Sequence, residues 1–68
     1  MSLRENIKRS REEKGYSQRE LAARIGVNVS LIGAFEIGLK VPSLSIADAL
    51  ASEFGCTVDE LMHGGRTA

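Results

Sequence analysis

Only one cysteine, Cys56, and one histidine, His63, occur in these 68 residues. A lone thiol closes no internal disulfide, and neither residue has Cys or His neighbours at metal-ligand spacing, so a disulfide scaffold and a zinc site are both excluded. Catalytic pairs are missing as well. There is no nucleophile beside a base, no carboxylate pair and no glycine loop of the kind that cradles phosphate, which argues against an enzyme and against any cofactor. Long apolar runs are absent, which excludes a membrane-spanning helix, and no charged start followed by an apolar block marks a secretory signal. A cytoplasmic protein with no membrane partner is expected. An excess of charge is missing too, since nine Lys and Arg balance nine Asp and Glu.

The zero total hides an asymmetry along the chain. Met1 to Lys40 holds eight basic against five acidic residues, and Val41 to Ala68 holds one against four, so the halves stand near +3 and −3. Such a dipole can orient a protein on a polyanion, with modest nonspecific affinity because few phosphate contacts release few counterions. The length allows one domain, 1–68, with its core over about 3–62 and a frayed tail over 64–68. A chain this small buries only about 60% of its unfolded surface, so self-association is physically attractive. Apolar groups between Phe54 and Met62, with Cys56 and Ile46 near them, are the expected surface for a homodimer.

Caps and breakers divide the chain into five helices and no strand, an all-α fold. The first helix runs from about Ser2 to Lys14, with Leu3 and Ile7 on its inner face and Gly15 as its stop. Ser17 and Glu20 make a capping box that starts the second helix near Gln18, and Leu21, Ala22 and Ile25 anchor it. Gly26 suits the left-handed angle that ends a helix, and Val27 tucks under the turn. Asn28 caps a third helix from Val29 to about Ile37, with Leu31, Ile32 and Phe35 on its inner side and Gly38 closing it. Two helices joined by a three- or four-residue turn form a helix-turn-helix, the geometry that lays the second helix in a DNA major groove. Ser43 caps a fourth helix, where Leu44, Ala47, Leu50, Ala51 and Phe54 repeat at helical spacing until Gly55. Thr57 and Glu60 cap a short fifth helix carrying Val58, Leu61 and Met62, which Gly64 and Gly65 end. Cys56 fits the junction before it as a small half-buried hydrophobe.

The outward side of the third helix sets how DNA is met. At about 100° per residue, Val29, Ser30, Gly33, Ala34 and Ile37 lie opposite the buried side. Bidentate Gln, Arg, Lys or Asn side chains, which separate bases by about 1–3 kcal/mol each, are nearly absent there. Val29 and Ala34 can touch thymine methyls, Ser30 can donate or accept, Asn28 can reach a base or phosphate, and Gly33 permits close approach. Readout then leans on methyl contacts and DNA shape. The start of the second helix offers free N–H groups and a positive dipole end to a phosphate.

With these residues in place, the chain resembles the phage repressor and Cro type of helix-turn-helix domain, the xenobiotic response element family, with a lambda-repressor-like fold. The likeness runs from Leu3 to Met62. It rests on Gln18 with Leu21 and Ala22, the Gly26-Val27 turn, Ile32, Glu36 two before Gly38, Pro42-Ser43, and the run from Phe54 to Leu61. The resemblance implies that Gln18 clamps a phosphate, that Lys40 and the backbone before Ser43 meet phosphates across the groove, and that Arg11 and Glu36 form a partly buried ion pair. It also implies that Arg11 meets a phosphate while so paired. It further implies a sequence-specific, repressor-like transcriptional regulator that binds a palindromic operator in double-stranded DNA as a homodimer, with its third helix in the major groove. Small domains of this kind serve as phage repressors, restriction-modification controllers and antitoxins, and nothing in the chain chooses among these. A different class of function also fits an uncharged outer face: a protein-docking module that uses Val29, Gly33, Ala34 and Ile37 as its surface.

Overall fold

The computed structural model describes residues 2–63, which form five α-helices: α1 (Leu3–Glu13), α2 (Gln18–Ile25), α3 (Val29–Glu36), α4 (Leu44–Phe54) and α5 (Val58–Met62). The glycine stop at 64–65 and the tail over 64–68 lie outside the described residues. Each helix starts where a short polar side chain can replace missing backbone partners. Ser2, Ser17 and Thr57 each accept from the backbone N–H three residues on, while Glu5, Glu20 and Glu60 reach back to the cap N–H at 3.0, 2.9 and 2.9 Å. The box at Ser2 and Glu5 follows the same Ser/Thr-x-x-Glu rule as the other two. Asn28 and Ser43 cap α3 and α4 without a glutamate partner.

The core draws on all five helices. Ile7, Leu21, Ile32, Leu50 and Leu61 are its largest fully buried side chains, one from each helix, with Phe35 and Phe54 packed among them. Burying such a side chain stabilises the fold by about 1.5–3 kcal/mol. One polar group shares this interior. Asn6 is buried and its Nδ2 donates to the Leu61 carbonyl at 3.0 Å, tying α1 to α5, while its Oδ1 has no hydrogen-bond partner.

Two expectations change here. Leu44, placed by spacing on the inner face of α4, is 77% exposed, because it is the first helical residue and projects beyond the end of the core. Phe54 and Leu61, expected to supply a dimer surface, are consumed by the protein's own core, and Cys56, Ile46 and Met62 pack partly against it. The apolar side chains that remain in water lie elsewhere. Ile37, Leu39, Val41 and Leu44 are the exposed large hydrophobics among the described residues, all within the α3–α4 connection and its edges, around a buried Pro42.

Candidate nucleic-acid interface

The turn between α2 and α3 is built from backbone geometry. Gly26 has φ +75°, a left-handed angle that costs a residue with a Cβ about 1–2 kcal/mol, and the Val27 N–H then bonds the Ala22 carbonyl at 3.0 Å. Val27 packs on the core beside this turn. Asn28 Oδ1 accepts from both the Ser30 N–H at 2.9 Å and the Ser30 hydroxyl at 2.8 Å. The Ser30 proton is therefore used within the protein, and its hydroxyl offers only acceptor capacity outward. Asn28 keeps its amide N–H groups for another partner.

Below α3 lies a polar junction joining three helices. Arg11 on α1 donates from Nε to Glu36 Oε2 at 2.7 Å and from Nη2 to Glu36 Oε1 at 3.2 Å. Its Nη1 donates to the Tyr16 carbonyl at 2.8 Å. Gln18 on α2 donates from Nε2 to the same Glu36 Oε1 at 3.0 Å. Glu36 thus accepts from two neighbouring helices, and the side chains of Arg11 and Glu36 are only 11% and 4% exposed. The Glu36 hydrogen bond holds the Arg11 guanidinium protonated even beyond its ordinary range, against the opposing effect of burial.

This junction changes the part each predicted residue can play. Three of the Arg11 nitrogens are bound within the protein, which leaves a narrow surface for a phosphate. Gln18 lies across α3 with one amide proton on Glu36 and the other available outward. Its Oε1 sits 3.9 Å from where a Cβ would stand on Gly33, an ordinary van der Waals distance, so Gln18 lies beside that glycine. Val29 packs partly on the core, an unforeseen use for a residue placed on the outer side. Gly33 and Ala34 are half-buried, while Asn28, Ser30, Lys40 and Ser43 are exposed. Ile37 follows the last helical residue as the C-cap of α3 and is 68% exposed.

Arg4 was not foreseen. Its Nη1 lies 3.5 Å from the Ile37 carbonyl, and its side chain rests on Gly38, where an added Cβ would come within 2.9 Å of Nη1. The last turn of α3 has no basic residue of its own, so a cation from α1 meets the negative end of its dipole. The signal was in the spacing. Arg4 and Arg11 stand seven apart on one face of α1, and both reach α3. A second unforeseen tie joins α2 to α4 through Arg24 and Glu53, with the Arg24 guanidinium 4.8 Å from the centre of the Tyr16 ring.

Among the described residues, no cluster of His, Cys, Asp or Glu could hold a metal ion, and no helix is long and apolar enough to cross a membrane. Comparison with known proteins gives a consistent answer. The helix-turn-helix family model matches residues 7–61. A transcriptional regulator of Deinococcus deserti, DdrOP3, is 33% identical over 64 residues, which are 94% of this chain and 50% of that protein. The chain spans about half the length of the first curated relatives it matches. Among solved structures, the P22 c2 repressor in complex with a synthetic operator superposes with a TM-score of 0.90 at 25% identity, over 94% of this chain and 97% of that one. SinR, described as the master regulator for biofilm formation and solved in complex with DNA, gives 0.81 at 33% identity, over 87% and 95% of the two chains.

Proposed function

The chain belongs to the Cro/CI-type helix-turn-helix family, and from that premise we propose that it is a DNA-binding transcriptional regulator of repressor type. The family and the matched relatives are transcription regulators, not enzymes. In this reading a homodimer binds a palindromic operator with α3 of each copy in the major groove, the two helices about one helical turn apart. The observation that carries it is the junction of Arg11, Gln18 and Glu36. It fixes α3 against α1 and α2 while its capping end, Asn28 and Ser30, stays exposed.

Base readout in this proposal is sparse. Asn28 presents its amide, Ser30 an acceptor, and Ala34 a methyl group for thymine, so the remaining selectivity comes from DNA shape. Gln18 spends its second amide proton on a phosphate, and Lys40 and the backbone before Ser43 meet the opposite strand. Gln18 then links the phosphate to Glu36, and hence to the angle of α3.

Selection of bound duplexes from random DNA tests the reading directly. Two A·T-containing half-sites about one turn apart should be enriched, and binding should weaken with salt. Ala34→Arg should change the preferred base at one position of each half-site by about 1–3 kcal/mol rather than weaken all sequences equally. Absence of both enrichment and salt dependence would overturn the proposal. A second reading, protein docking, is favoured by the exposure of Ile37, whose apolar surface continues into the following loop.

A further inference from the structure

We infer that the α3–α4 connection is a docking surface for an acidic amphipathic helix of another protein. Ile37, Leu39, Val41 and Leu44 are 68%, 73%, 71% and 77% exposed, and they are the exposed large hydrophobics among the described residues. Isolated apolar groups on a surface need no explanation, but four concentrated in one short segment mark an interaction site. Ile37 borders the outward face of α3, but the proposed DNA contacts do not account for Leu39, Val41 and Leu44. Lys40 and the backbone before Ser43 are the groups assigned to phosphates, and a leucine gains little against a charged backbone.

Charge selects the occupant. Segment 37–44 contains Lys40 and no carboxylate, and Arg4 lies against Gly38 and the Ile37 carbonyl. The nearest carboxylates of α1 and α3 are engaged elsewhere, Glu5 at the Ser2 cap and Glu36 with Arg11 and Gln18, and α4 carries the exposed Asp48 one turn beyond Leu44. A second copy would meet this surface through the same patch on both sides, bringing two Arg4 and Lys40 pairs together against only the two Asp48 carboxylates, so an excess of positive charge would remain. A helix with Leu or Ile at i, i+3, i+4 and i+7 and Glu or Asp beside that stripe would cover the apolar groups and pair with both cations. Such a partner would also withdraw Lys40 from its phosphate. That antagonism rests on the proposed DNA reading, whereas the docking does not.

A library of displayed helical peptides, with the apolar stripe fixed and the flanking positions free to be Glu, Lys, Gln or Ser, is the probe. Selection on the full chain should enrich Glu at the flanks. The best peptide should perturb backbone amide resonances at 37–44 and near Arg4. The double variant Leu39→Ser, Leu44→Ser, both positions exposed and so expected to fold as the parent does, should lose at least tenfold in affinity. Retention of the parent melting temperature checks that folding. Arg4→Gln with Lys40→Gln should reduce binding of the acidic peptide while leaving a Gln-flanked peptide unaffected. Enrichment of Lys, no enrichment, or perturbation confined to other surfaces would overturn the inference. So would sedimentation showing a dimer that Leu39→Ser, Leu44→Ser converts to monomer, because the occupant would then be a second copy. Peptide binding that persists in a protein with no DNA affinity would retire the regulator reading and leave this one standing.

Discussion

Glu36 receives hydrogen bonds from Arg11 and Gln18 at the point where α1, α2 and α3 meet, and little of it touches water. Taking one charge from such a pair leaves the other desolvated and unmatched, which costs about 3–5 kcal/mol, whereas removing both costs less. Glu36→Gln and Arg11→Met should each lower stability by about that amount in urea unfolding, and the double variant should fall well short of their sum. Additive losses would mean that the pair is not coupled. The pairing of Arg11 with Glu36 follows from the family resemblance. The participation of Gln18 does not, because a first-turn glutamine looks the same in sequence whether its amide faces solvent or a neighbouring carboxylate.

At the scale of helices, polar caps and buried stripes make different demands on solution conditions. The α1 capping box holds the Glu5 carboxyl below its ordinary range, chiefly through the Ser2 backbone hydrogen bond, helped by the Ser2 hydroxyl and opposed by slight desolvation. A lowered folded-state value means that the stabilisation is present above the unfolded carboxyl range and is lost as pH falls through the folded one. The melting temperature of the parent should therefore exceed that of Glu5→Gln at neutral pH, and the gap should close in acid; a gap that widened in acid would contradict the assignment. Asn6 links α1 to α5 instead through a buried amide. Asn6→Ala leaves the Leu61 carbonyl unsatisfied, so a loss of about 1–3 kcal/mol is expected, with amide exchange rising most in α5. Helix starts were legible because a Ser or Thr three residues before a Glu is a local signal, and Gly26 and Gly55 mark their stops just as locally. Leu44 was misplaced because helical period assigns a face without saying where the core ends. Segment 37–44 has no period at all, so the exposure of Leu39 and Val41 depends on tertiary geometry that spacing does not encode.

For the whole molecule, the decisive quantity is how many cations remain for DNA once internal pairing is counted. The first forty residues carry the positive half of a chain of zero net charge, yet Arg11 is bound to Glu36 and Arg24 to Glu53. Lys40 and Arg4 are the cations placed at the end of α3, while Gln18 and the helix N–H groups, the other phosphate contacts of the proposed complex, carry no charge. Two copies on one operator would then neutralise about four phosphates, giving a slope of log affinity against log salt of about −4. Between 50 and 200 mM salt the affinity should drop by about two hundredfold, less than the ~10³–10⁵ expected when six to ten phosphates are neutralised. Lys40→Ala should make the slope shallower by about 2 in the two-copy complex, and Gln18→Ala should weaken binding with the slope unchanged, since an amide displaces no counterion. Leu39→Ser should alter neither, because its side chain belongs to the protein-docking surface. Fluorescence anisotropy over that salt range distinguishes these outcomes, and a slope of about −8 or steeper would mean that cations on other faces of the molecule also meet the duplex.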